Sequence, residues 1–280
     1  MVRESEAKGV RNVFPEDVQE FMRDHEEGTY VLLDVRQPTE YERAHLPGAK
    51  LIPLPQLTDS LSELDPARPT IVYCAVGGRS RMAAQLLAHQ GFEDVRQLVG
   101  GIEGWDQPAA AGPTEFHLRF VRGDETPREM ITLGYVFEEG LRRFHQMVLE
   151  RTEDGELGKL LTSLVKAEES HKRTLLSLVS EPERQQFLAD MNASEGPAVM
   201  EGGIDVNAFM AQNEPYLHSI TDYLQLAMMV ETQALDLYLR MAQASRQQET
   251  RAVLHKISQE EKAHLTALGR LMEEKAAERP

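Results

Sequence analysis

TIVYCAVGGRSRMAAQLLAH, residues 70–89, passes from a β-rich apolar run through two glycines into a helical pattern. The spacing predicts a strand over Thr70–Cys74 and a helix over Arg79–His89, closed by Gly91. A strand that turns through glycines into a helix N-terminus aims successive backbone N–H groups at the centre of the loop. That geometry suits an anion, and it favours a thiolate at Cys74 over a thiol. Arg79 adds a fixed positive charge. Upstream, Tyr30–Val35 (YVLLDV) is a second β-rich run, and runs of this kind alternate with helical stretches. The alternation predicts an α/β domain with a mainly parallel sheet.

The chain has 280 residues, enough for about two domains. Acidic residues outnumber basic ones 46 to 30, and the net charge of -16 repels nucleic-acid backbones and anionic membranes alike. A single cysteine, Cys74, excludes an internal disulfide and any four-cysteine metal site. The start MVRESEAKGV carries no apolar core of signal-peptide length, so a cytoplasmic, reducing location is expected. No apolar run approaches the roughly 18 residues that span a bilayer.

Composition shifts most sharply at Asp106–Pro113, DQPAAAGP. The predicted organisation is a first domain over residues 1–110, a linker over 111–126 and a second domain over 127–280. Beyond the linker lie four helical patterns, about 127–150, 156–179, 215–244 and 247–276, with no convincing strand between them. Thr126-Pro127-Arg128-Glu129 is a capping box with proline at the first helical position. The stretch from Ser180 to Pro215 is long enough to cross between helices, which predicts a four-helix bundle with one long crossover.

Residues 10–110 resemble the rhodanese family of sulfurtransferases. The resemblance rests on Leu33-Asp34-Val35-Arg36 followed by Glu40-Tyr41, on His45-Leu46-Pro47-Gly48-Ala49, on the Cys74–Ser80 loop and on Gly100-Gly101-Ile102-Glu103-Gly104-Trp105. It implies that Cys74 takes a sulfane sulfur from thiosulfate or a related donor and holds it as a persulfide. The sulfur then passes to a thiol or cyanide acceptor. Arg79 would act with Cys74, and Ala75, Val76, Gly77, Gly78 and Ser80 would form the anion-binding loop. Cysteine phosphatases share the strand, loop and helix order but place five residues between cysteine and arginine. Here there are four, a tighter ring suited to one sulfur. Asp34 and Arg36 read as a structural ion pair, and His45 as scaffold.

An E-x-x-H motif occurs at Glu42/His45, Glu168/His171 and Glu261/His264. The first runs into Leu-Pro-Gly and is accidental; the others lie in helices, where residues three apart share a face. At an offset of 93 residues, Glu138, Glu168 and His171 map onto Glu231, Glu261 and His264. Each glutamate interrupts an apolar stripe, where a carboxylate belongs only if something cancels its charge. Four Glu and two His in this arrangement form the ligand set of dinuclear carboxylate bundles, and hard oxygen donors with imidazole suit two iron or manganese ions.

Residues 127–276 therefore resemble the rubrerythrin branch of the ferritin-like superfamily. The resemblance implies an all-α ferritin-like domain, a redox centre fed by an external electron donor, and pairing into a homodimer through exposed helix faces. The family's aromatic residue seven positions after the first glutamate is present as Tyr238 in the second half but is His145 in the first. Both are candidates to support the metal ligands from outside; His145 either hydrogen-bonds a ligating glutamate, the favoured role, or joins the metal directly. Met228 and Ala234 flank Glu231 where peroxidase-type relatives carry an extra carboxylate, and one cysteine cannot supply a rubredoxin-like module. The predicted whole is a sulfurtransferase joined to a diiron centre in sulfur metabolism or oxidative-stress defence. The alternative is an iron-binding, storage or sensing protein with a rhodanese docking or sulfur-carrier module.

Overall fold

The computed structural model describes residues 9–113, 124–193, 199–200 and 204–277. The chain divides into two compact units, separated between residues 116 and 117. Most of the predicted linker, and the N-terminal segment read for a leader, lie outside the described residues.

The first unit is built on strands β1 (Val10–Val13), β2 (Val31–Asp34), β3 (Lys50–Leu51), β4 (Thr70–Tyr73) and β5 (Val95–Leu98). They form one sheet in the order β1-β5-β4-β2-β3, with every pair parallel. Helices α1 (Pro15–Asp24), α2 (Pro38–Arg43) and α3 (Gly78–His89) supply the crossovers together with short 3₁₀ turns. β4 lies inside the sheet and is buried along its whole length, so its continuous TIVY run reads as a two-face-buried parallel strand. One apolar cluster around Leu33, Val72, Ala84 and Leu87 and another around Leu32, Tyr41, Ile71 and Tyr73 form the core. The open carboxyl end of β4 delivers Cys74 to the loop.

The second unit contains helices α4 (Pro127–Leu149), α5 (Gly155–Ser177), α6 (Glu181–Ala193), α7 (Val206–Asn213), α8 (Ile220–Ala244) and α9 (Gln248–Ala277). The capping box forms as predicted: Thr126 Oγ1 accepts from the Glu129 amide at 3.2 Å, while the Thr126 amide donates to Glu129 Oε2 at 2.8 Å. α4 packs along α5, α8 packs along α9, and α4 and α5 both touch α9. The stretch between α5 and α8 is more ordered than the sequence suggests. It contains α6, α7 and an antiparallel pair, β6 (Val199–Met200) with β7 (Ile204–Asp205), so the expectation of no strand here is corrected. β6 lies against α4 at Gly140, where an added Cβ would fall 1.9 Å from the Val199 carbonyl oxygen. Third-helix pairing begins at Ile220, not near 215, because Glu214–Tyr216 forms a 3₁₀ turn and Ser219 caps the helix.

Two apolar clusters occupy the interior of this unit. One gathers Leu141, Phe144, Leu161, Tyr223 and Leu224; the other gathers Met130, Phe137, Leu175, Ala234 and Tyr238. Along α4, α5, α8 and α9 the change from one cluster to the other falls at Glu138, Glu168, Glu231 and Glu261. The polar side chains thus form a belt between two greasy layers.

Candidate functional site

At the end of β4 the buried Cys74 Sγ accepts a hydrogen bond from the Gly77 amide at 3.1 Å and lies 3.5 Å from Ser80 Oγ. Gly77 reaches this position with φ +107°, a left-handed conformation that glycine adopts without strain. Ser80 is fixed from both sides, donating to the Gly77 carbonyl at 3.1 Å and accepting from Gln97 Nε2 at 3.2 Å. Burial raises the thiol's pKa, but the Ser80 hydroxyl and the amides of Ser80, Gly77 and Val76 outweigh it and lower the value below that of an ordinary cysteine. Val76 is 63 % exposed, which leaves the rim of the loop open to solvent.

Arg79 does not simply add charge to the loop. Its guanidinium makes a two-pronged bond to Glu40, Nη1 to Oε2 at 2.7 Å and Nη2 to Oε1 at 2.6 Å. Glu40 is held down at about pKa 2 by Arg79, and the arginine's own pKa rises through Glu40 and, in part, through Cys74. Glu40 and Gln97 are site residues that sequence reasoning did not assign a role. Nothing local signals them, because each reaches the loop from a distant element. The motif Gly100–Trp105 also gains a physical reason. Gly101 has φ +60°, and a Cβ there would fall 2.3 Å from the Cys74 carbonyl oxygen. Beside it, Ile102 N donates to Cys74 O at 2.8 Å and Glu103 N to Ala75 O at 3.1 Å, bracing the loop backbone. Asp34 and Arg36 form the expected buried pair at 2.6 Å. His45 stacks on Tyr41 and bonds its carbonyl, a scaffold role.

In the helical unit the structure brings together all six predicted ligands. His171 Nδ1 lies 3.1 Å from Glu138 Oε2, 3.2 Å from Glu168 Oε2 and 4.0 Å from Glu261 Oε1. His264 Nδ1 lies 3.2 Å from Glu231 Oε1 and 3.8 Å from Glu168 Oε1. His145 joins them, with Nε2 3.6 Å from Glu168 Oε1 and within one group of mutually close donor atoms with Glu168 and Glu231. Tyr238 is fully buried and belongs to the apolar cluster that holds Phe137, Met130 and Ala234.

Four carboxylates at 0–1 % exposure are costly unless neutralised. Burial pushes Glu138 up to about 8, and burial with the charges of Glu138 and Glu231 pushes Glu261 well up. Burial opposes charge on His171, yet Glu138 and Glu168 lift it to about 11. His264 is likewise raised despite burial, chiefly by Glu231. Glu168 and Glu231 shift the other way: burial raises them, but His145 and His171 hold Glu168 below the usual carboxylate range and His264 does the same for Glu231. Both oxygens of Glu168 and of Glu231, with Glu138 Oε1 and His145 Nε2, are buried without a hydrogen-bond partner. Such convergent, unsatisfied oxygen and nitrogen donors could hold a hard divalent metal ion. A small crevice lined by Thr174, Leu178, Lys256 and Glu260 reaches Glu138 and His171.

The family profile of the rhodanese-like domain matches residues 17–108. This stretch is a rhodanese-like domain. It is 46 % identical over 78 residues to the chloroplastic rhodanese-like/PpiC domain-containing protein 12 of Arabidopsis thaliana, covering 26 % of each chain. It is 40 % identical over 74 residues to the Bacillus subtilis protein YrkF, named as a candidate sulfur carrier, covering 26 % of this chain and 40 % of that one. Among solved structures, a rhodanese-related protein of Thermoplasma volcanium is 28 % identical, over 36 % of this chain and 97 % of that one, with a TM-score of 0.33. The chain thus spans well under two thirds of these two sequence relatives. The matches support a role related to sulfur transfer for the rhodanese-like unit. No helix among the described residues is long and apolar enough to cross a membrane.

Proposed function

We propose that the rhodanese-like unit is a sulfurtransferase that works through a persulfide on Cys74. The observation that carries it is the buried Cys74 Sγ, held by the Gly77 amide and lowered in pKa by the loop and Ser80. The thiolate attacks the outer sulfur of thiosulfate, the S–S bond breaks, and sulfite leaves with the electron pair. The loop amides hold the negative charge of the outer persulfide sulfur. A thiolate or cyanide then attacks that sulfur and releases Cys74 as thiolate, giving a new persulfide or thiocyanate. Glu40 positions Arg79 at the rim, where its charge attracts the anionic donor.

The helical unit is read as a ferritin-like bundle holding two iron or manganese ions. The unpartnered buried oxygens of Glu168 and Glu231 support this reading. Glu138 with His171, and Glu231 with His264, would each hold one ion, with Glu168 and Glu261 between them. Such a pair would supply one-electron redox chemistry to a partner or small oxidant, with electrons from an external donor. The crevice at Glu138 and His171 brings that side of the site nearest to solvent, with room for little more than a water. Covalent linkage keeps the sulfur carrier and the metal centre at high effective concentration, in line with sulfur metabolism or oxidative-stress defence in a reducing compartment.

The test is turnover of thiosulfate and cyanide to thiocyanate, with metal analysis of protein purified without chelator. Turnover that disappears in Cys74→Ser, and two ions per chain, are the expected results. Transfer that persists in Cys74→Ser overturns the persulfide assignment. No transfer in the wild type, together with metal bound, would favour the iron-handling reading with a docking module.

A further inference from the structure

We infer that His145 is a seventh, direct metal ligand, so that the two metal positions are inequivalent: one closed by His145 on the Glu231/His264 side, the other open at Glu138/His171. The inference rests on the dinuclear reading above and deepens it.

The internal repeat provides the first argument. At the offset of 93 residues, His145 corresponds to Tyr238 and Tyr223 corresponds to Met130. The halves differ at both of these buried positions, and the two residues bond to each other: His145 Nδ1 lies 2.5 Å from Tyr223 Oη. Their counterparts, Tyr238 and Met130, sit together in the opposite apolar layer. Two departures that meet in one hydrogen bond act as a unit, and the unit exists on one side of the polar belt only.

The second argument is the direction of the ring. With Nδ1 engaged by Tyr223, Nε2 is left facing Glu168, 3.6 Å away, and grouped with Glu231. The side chain is 0 % exposed, and Nε2 has no hydrogen-bond partner. At 3.6 Å it is too far to be a good hydrogen-bond donor to Glu168. An ion between the two would satisfy both. Metal-bound histidines almost always donate their second ring N–H to an acceptor that fixes tautomer and orientation, and Tyr223 Oη is placed to accept from Nδ1. Chain position does not oppose this: two helical turns separate His145 from Glu138, but the carboxylates it meets come from α5 and α8. A hydrogen bond to a ligating glutamate, the role expected from sequence, gives way to ligation.

The test uses the full chain loaded with Co(II), with stoichiometry from titration and ¹H NMR of the paramagnetically shifted, exchangeable imidazole N–H signals. The expected wild type binds two Co(II) and shows three such signals, from His171, His264 and His145. His145→Gln should lose one signal and weaken one of the two ions by at least roughly 10-fold, with the other unchanged. Tyr223→Phe should keep both ions while the His145 signal broadens through faster exchange. His145→Tyr, which restores the repeat, serves if the glutamine variant loses its helical circular dichroism. Two signals in the wild type, or two ions of unchanged affinity in His145→Gln and His145→Tyr, overturn the inference and leave the dinuclear site standing. A wild type that binds no Co(II) overturns the dinuclear reading and this inference with it.

Discussion

The Cys74 thiol sits among groups that shift its pKa in opposite directions. Burial raises its pKa, and the Ser80 hydroxyl with the loop amides lowers it further than burial raises it. Because the thiolate is the nucleophile, alkylation by iodoacetamide should rise with pH through an inflection below about 8.5, the ordinary thiol value. In Ser80→Ala the inflection moves upward and the rate near neutral pH falls severalfold. An unchanged inflection would remove Ser80 from the site. Gly101 acts on the same sulfur through the backbone. A methyl group 2.3 Å from the Cys74 carbonyl oxygen must displace the loop or the Gly100–Trp105 turn. Gly101→Ala should therefore lower sulfur transfer by about 10-fold or more, since small misplacements of reacting groups are costly. The measurement is thiocyanate formation, with circular dichroism to show that the sheet persists. Cys74 and its loop were legible in the sequence because strand, glycines and helix are contiguous. Glu40 and Gln97 were not, because they reach the loop across 39 and 17 residues of chain through side-chain bonds.

The four long helices of the second unit were readable from period and cap, and each buried glutamate stood out as a charge inside an apolar stripe. The crossover was not readable. Its helices are short, and β6 and β7 are two residues each, so no periodicity builds up; β6 is fixed by packing on Gly140 of α4, a contact made between distant parts of the chain. The belt at the middle of these helices has a price in stability. Glu261 is 1 % exposed and sits beside Glu138 and Glu231, which push its pKa well up. Burial disfavours the charged form of a carboxyl group, and a glutamine amide keeps the shape of the side chain without that charge. Glu261→Gln is thus expected to reduce metal content below two ions per chain and to leave the metal-free protein as stable as the wild type or more so. Thermal melts in chelator decide this. A strongly destabilised metal-free variant would mean that Glu261 supports the fold itself.

At the scale of the molecule, each unit has its own apolar core and its own candidate site. The first unit's core surrounds Leu33, Val72 and Leu87; the second unit's layers enclose the carboxylates. A ligand that binds only the folded form of one unit stabilises that unit by mass action, by about 2.7 kcal/mol at a free concentration 100 times Kd. For a unit of this size each kcal/mol shifts the melting midpoint by roughly 2–4 °C, so removing bound metal should lower the helical unit's transition by roughly 5–10 °C. Sulfur transfer at Cys74 has no ligand in the carboxylate belt, and its rate per chain should be unchanged by the chelator. The converse holds for Cys74→Ser, which should keep its metal and its helical melting midpoint. Calorimetry with and without chelator, alongside thiocyanate formation on the same samples, measures both. A fall in transfer rate on metal removal, with the rhodanese-like unit still folded, would show that the two chemistries are coupled within one chain.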